Sequence, residues 1–146
     1  MFLCSRYVPY EVVRCLMQQG AEATLEVTPR EVTIFFSDIA GFTTICEKMN
    51  PHQLLVLLSE YFESMCDILQ KRSGTLLEFI GDAILAVWNA PMFVEDHAYQ
   101  CVESSVRMNE ELMRLRQSWR DRGFPEVHIR CGMHTARVFV GNIGSP

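Results

Sequence analysis

Apolar and polar positions change period several times along this chain, and each change marks the edge of an element. Residues 9–20 read as a short helix, with Pro9 near its start, Gly20 as its stop and Val12, Val13, Leu16 and Met17 on one side. A connector follows over 21–30. The run Val32-Thr33-Ile34-Phe35-Phe36 is β-branched and aromatic, which predicts a strand over 31–37 with both faces buried. Helical spacing begins near Phe42, runs to Met49, and restarts at Asn50-Pro51, a good N-cap followed by a good first helical residue. Leu54, Leu58, Tyr61, Met65 and Ile68 then form its apolar side as far as Lys71-Arg72, and Gly74 is expected to take the left-handed exit.

Residues 75–80 and 83–88 flank Gly81-Asp82 and predict a β-hairpin. Glu95-Asp96 opens a long helix to about Arg120. Its inner side is expected to carry Val102, Val106 (or Ser105), Met108, Leu112, Leu115 and Trp119, and Gly123-Phe124-Pro125 ends it. Residues 128–135 and 138–143 predict a second hairpin. The order β-α-α-β-β-α-β-β mixes hairpins with long helices. It argues for an α+β fold, a mostly antiparallel sheet with helices covering one face.

Composition narrows the partners more than the fold. A length of 146 residues suits one domain, and 49% hydrophobic with 21% charged residues is ordinary for a globular protein. The net charge of -5 argues against a nucleic-acid surface, which needs a basic patch. The six cysteines (4, 15, 46, 66, 101 and 131) show no CxxC pair or zinc spacing. Their scatter through apolar segments favours free buried thiols in a reducing compartment. No stretch is long and apolar enough to span a bilayer, and Met1-Phe2-Leu3-Cys4-Ser5-Arg6 lacks the form of a signal peptide. A cytoplasmic segment without membrane contact is the expectation, compatible with a membrane-anchored parent protein.

The chemistry sits at two strand ends. Phe36-Ser37-Asp38-Ile39-Ala40-Gly41-Phe42-Thr43 and Phe79-Ile80-Gly81-Asp82 each place an aspartate at an apolar segment's end. Strands lying side by side would bring Asp38 and Asp82 together at one rim of a sheet. Paired carboxylates repel unless a cation or a proton neutralises them. An oxygen site with open positions suits Mg²⁺ and, through it, nucleotide phosphates. The chain after Asp38 enters a helix through Gly41, so its backbone amides offer a phosphate cradle. Taken singly, Asp38 reads equally as a helix cap and Asp82 as a turn residue; the joint pattern points to phosphoryl transfer.

Those two motifs, with Cys131-Gly132-Met133-His134-Thr135, resemble the class III nucleotidyl cyclase catalytic domain over about residues 30–146. The resemblance divides the chain into a lead-in of residues 1–30 and a cyclase domain of residues 31–146. It implies a ferredoxin-like α+β core that acts as a homodimer or heterodimer, with active sites at the subunit interface. It also implies cyclisation of a nucleoside triphosphate to a 3′,5′-cyclic monophosphate, a step in cyclic-nucleotide signalling. Asp38 and Asp82 would hold two Mg²⁺ or Mn²⁺ ions, the Ile39 carbonyl would also bind metal, and Gly41, Phe42 and Thr43 would hold phosphates.

Glu78 matches the family's purine-reading position. Guanine presents two adjacent donors there, which a carboxylate accepts, whereas adenine presents an acceptor. GTP is therefore favoured, with ATP the alternative. His134, Trp88 and Trp119 read as structural residues, Arg130 and Arg137 as solvated strand charges, and Ala136 as an unusual residue in the final hairpin turn. The resemblance places a transition-state asparagine and arginine beyond Pro146. A truncated domain, inactive by itself, is the expectation, and a regulatory pseudo-cyclase or dimerisation module is the competing reading.

Overall fold

A computed structural model describes residues 27–141. The chain runs β1 (Thr28–Ile39), α1 (Phe42–Lys48), α2 (Pro51–Lys71), β2 (Thr75–Ile80), β3 (Ala83–Trp88), α3 (His97–Asp121) and β4 (Ile129–Val140). The four strands form one sheet in the order β2-β3-β1-β4, with every pairing antiparallel. α2 and α3 lie on one face of this sheet and pack against each other. The α+β expectation is met. The helix predicted over 9–20 lies outside the described residues.

β1 is central because its alternation serves two faces. Phe35, Ser37 and Ile39 turn toward the helices and are buried, while Phe36 and Asp38 turn to the open face. The main core gathers Phe35, Ile39, Leu57, Tyr61, Met65, Leu69, Ile84, Trp88, Met108, Leu112 and Trp119 between sheet and helices. Each such fully buried large side chain stabilises by about 1.5–3 kcal/mol relative to exposure. A smaller cluster of Val32, Val87 and Ala90 covers the open face at the end remote from Asp38. Asn50 caps α2 as expected, its Oδ1 accepting from the Gln53 amide at 2.9 Å.

Several sequence expectations are corrected. Within the described residues the expected hairpin turn between 135 and 138 is absent: Ile129–Val140 is one continuous strand, β4, paired along its whole length with β1. Ala136 consequently sits in mid-strand opposite Val32 rather than in a turn. On α3, Val102 and Val106 face solvent, and Cys101 and Ser104 take the inner positions. Ser104 tolerates burial because its hydroxyl donates to the Gln100 carbonyl one turn back. On α2, Leu57 and Leu69 join Tyr61 and Met65 in the deepest row, while Leu54, Leu58 and Ile68 flank it.

The exit from α2 is also different. Ser73, not Gly74, takes the left-handed conformation, with φ 61°. Gly74 N donates to Leu69 O at 2.8 Å and Ser73 N to Gln70 O at 3.2 Å, so the carbonyls at the helix end are satisfied. Gly74 is required for space. A Cβ there would stand 2.7 Å from the Trp88 ring, which is itself pinned by its indole N–H donating to Arg72 O at 2.9 Å. Gly74→Ala is expected to destabilise the domain by about 1–3 kcal/mol through this overpacking, read as a lower urea midpoint with a displaced tryptophan emission.

Candidate active site

The two aspartates meet, although not by the route expected. β1 and β2 are not neighbours, because β3 lies between them. The β1–β3 register pairs Ser37 with Ile84, which carries the Gly81-Asp82 turn to the end of β1. There the Ile39 amide donates to Asp82 Oδ2 at 2.8 Å. Ile39 buries its side chain in the core and presents its backbone to the site. Gly81 makes the turn at φ 61°, a left-handed conformation that glycine adopts without strain.

Asp38 points to the open face and is held by Arg130. The guanidinium donates through Nε to Oδ1 at 2.7 Å and through Nη2 to Oδ2 at 2.8 Å. Arg130 stands directly across from Asp38 in the β1–β4 register. The Asp38 carboxylate, by its hydrogen bonds and then its charge, raises the guanidinium's pKa further, with a smaller contribution from Asp82. The expectation that Arg130 is a merely solvated charge is thus corrected. Arg137 sits exposed on β4 opposite Glu31, and His134 is a strand residue opposite Ile34.

Gly41 precedes α1 at φ 65°, and the space around it is open: an added Cβ would meet nothing within 4 Å. No side chain caps the first turn of α1. The leading amides of that turn, Phe42 and Thr43 among them, have no carbonyl partner within the helix. Beside this segment the open face carries exposed apolar surface from Phe36 and Ile80, and Gly132 adds no side chain opposite Phe36.

Glu78 reaches the same face through an irregularity. β2 pairs Thr75 with Val87 and Leu76 with Ala86, then skips Leu77 so that Glu78 opposes Leu85. Leu85 in turn opposes Phe36. Without the bulge, strand alternation would put Leu77 on the open face and turn Glu78 toward the helices. Two interstrand spacings separate Glu78 from Phe36, roughly 10 Å. Glu78 is exposed and Asp82 half-buried.

Beneath the site lie two residues that sequence reasoning did not single out for it. Ser37 and Tyr61 are buried side by side, near enough for their hydroxyls to interact weakly, and among the described residues neither makes a well-formed hydrogen bond. Burial raises the Tyr61 phenol well above its ordinary range; Ser37 opposes the shift, and the Cys131, Asp82 and Asp38 charges add to it. Burial likewise raises the Cys131 thiol, with a further push from Asp38. These contacts are long-range in sequence, so only the strand character of 31–37 and the helical period around Tyr61 hinted at them. Cys46, Cys66, Cys101 and Cys131 are free thiols. Burial pushes Cys101 up to about 12 and Cys66 up to about 11.

Among the described residues no three His, Cys, Asp or Glu side chains converge into a closed metal cage. What converges is two carboxylates beside open space. That donor set fits Mg²⁺, which keeps waters and takes substrate oxygens at its remaining positions.

Residues 26–146 match the adenylate and guanylate cyclase catalytic domain, and the chain belongs to that family. It is 34% identical over 145 residues to adenylate cyclase 1 of Rhizobium meliloti, covering 99% of this chain and 22% of that protein. Among solved structures, the guanylyl cyclase Cya2 superposes with a TM-score of 0.77 at 36% identity, over 82% of this chain and 60% of that one. The adenylyl cyclase CyaB from P. aeruginosa gives 0.79 at 34%, over 83% and 63%. The fold is the α+β cyclase core, and the chain spans under a quarter of the rhizobial relative's length.

Because the Tyr61 hydroxyl makes no well-formed hydrogen bond among the described residues, Tyr61→Phe removes at most a weak contact with Ser37. Its effect on stability is expected to be neutral, or stabilising by up to about 1 kcal/mol. Urea unfolding of the two proteins checks this.

Proposed function

We propose that this chain supplies the metal- and triphosphate-binding part of a purine nucleotide cyclase, converting GTP to 3′,5′-cyclic GMP and pyrophosphate. The observation that carries the reading is the Ile39 N–H to Asp82 Oδ2 bond, which sets Asp82 against the residue following Asp38. Asp38 and Asp82, with the Ile39 carbonyl, would hold two Mg²⁺ or Mn²⁺. When bound, the ions supply activation of the ribose 3′-hydroxyl and neutralise charge on the departing pyrophosphate.

The chain's own groups orient the substrate around that centre. Ile39 N–H fixes one oxygen of Asp82, so the carboxylate's direction is set before substrate arrives. The amides of Gly41, Phe42 and Thr43 would donate to phosphate oxygens at a helix start that no side chain caps. The nucleoside would lie over Phe36 and Ile80, with its base toward Glu78. Glu78 would accept from guanine N1–H and the 2-amino group; adenine would set its N1 lone pair against a carboxylate oxygen. The attacking oxygen belongs to the substrate, so no protein nucleophile takes part. A second cyclase domain, identical or related, would face this open side of the sheet and complete the site.

ATP is the second reading, favoured by the likeness to adenylate cyclases in Rhizobium meliloti and P. aeruginosa. Product analysis of the complete protein with GTP or ATP and Mn²⁺ separates the two. Cyclic GMP should dominate, and Glu78→Lys should shift the GTP/ATP preference toward ATP by about tenfold or more. Asp38→Asn or Asp82→Asn should lower turnover by at least about a hundredfold with unchanged circular dichroism. Near-normal activity of either aspartate variant in Mg²⁺ overturns the assignment.

A further inference from the structure

We infer that Arg130 is a displaceable internal counter-ion for the metal site: it holds Asp38 until a divalent cation takes that carboxylate, and metal binding requires its departure. The inference rests on the metal reading of Asp38 and Asp82 above.

The two aspartates are treated differently by the fold. Asp82 is held by a backbone amide, a neutral donor that can stay in place when a cation arrives. Asp38 is held by a full positive charge, with both oxygens engaged by the guanidinium fork at 2.7 and 2.8 Å. A fork that engages both oxygens takes up the lone pairs through which a carboxylate also binds a metal ion. A guanidinium and a divalent cation on one carboxylate would stand a few ångströms apart and repel. One must leave, and Arg130 is the less enclosed: its side chain is 70% exposed, against 32% for Asp38. Release into water costs little, because an ion pair this exposed adds little to stability.

Register, not chance contact, sets the pair. Arg130 is the cross-strand neighbour of Asp38 in the β1–β4 pairing, on the same face and one residue from the strand's end. While it is bound, Asp38 is fixed in one orientation and the charge repulsion between the aspartates is partly neutralised. Arg130 is thus a positioning residue in the empty site and a competitor of the metal.

The test measures Mn²⁺ affinity of the full chain without nucleotide, by electron paramagnetic resonance of free Mn²⁺. Arg130→Gln should bind Mn²⁺ about two- to fivefold more tightly than the wild type, while Asp38→Asn should bind more weakly. In the unaltered protein, the Arg130 Nε–H resonance should move to a solvent-exchanging position as Mg²⁺ is added. Affinity lost in Asp38→Asn but unchanged in Arg130→Gln overturns the counter-ion role and leaves the metal pair standing. An Arg130 resonance that stays put through Mg²⁺ saturation overturns it too. Affinity indifferent to Asp38→Asn overturns both readings.

Discussion

The register of β3 against β1 is the constraint on which both core and site depend. Pairing Ser37 with Ile84 aligns the buried sets of the two strands, Phe35 and Ser37 with Ala86 and Ile84. It also delivers the hairpin turn to the end of β1, where Asp82 takes the Ile39 amide. A slip of one residue would expose every core side chain of the moved strand and withdraw Asp82 from Ile39. The packing energy that holds the sheet therefore also holds the two carboxylates beside each other. No separate device is needed to assemble them.

β4 adds the second half of that frame from the other side. Its continuous pairing with β1 sets Arg130 across from Asp38 and leaves Gly132 opposite Phe36. On the helix face, the same pairing lets Thr33 join Thr135 and the imidazole Nδ1 of His97, at 2.8 and 2.7 Å. β1 is thereby clamped at two points, by an ion pair near the aspartates and by a part-buried hydroxyl–imidazole chain at mid-strand.

The aspartates, Gly41 and the Gly81 turn were legible in the sequence because strand ends and turns carry local punctuation. Their joint pattern already pointed to phosphoryl transfer and the family likeness narrowed it to cyclisation, while their adjacency rests on β3, whose place between β1 and β2 is not a local property. The same reason hid Arg130: nothing near residue 130 says which strand it will face. β4 was misread because Ala136-Arg137 interrupts an apolar pattern, yet an edge position in the described sheet tolerates polar residues on both faces. On α3 the larger aliphatic residues were assigned inward, and Val102 and Val106 instead lie outside. Helix geometry placed Cys101 and Ser104 underneath, with the serine hydroxyl satisfied by its own backbone. Hydrophobicity ranked the residues correctly and still chose the wrong side by a fraction of a turn.

The skipped residue at Leu77 separates the identity of a side chain from its address. A strand is a binary counter: each added or removed residue exchanges the two faces for everything beyond it. With one residue uncounted, position 78 lands on the open face with Ile80, and Phe79 turns to the helix side, where its partly exposed ring lies tilted against Phe62 with centroids 4.4 Å apart. The aromatic contact therefore acts as a parity check, since the opposite count would leave Phe79 in solvent and put a carboxylate against Phe62. What the sheet offers a nucleobase is in this sense decided twice, once by the letter at position 78 and once by whether the count before it is odd or even.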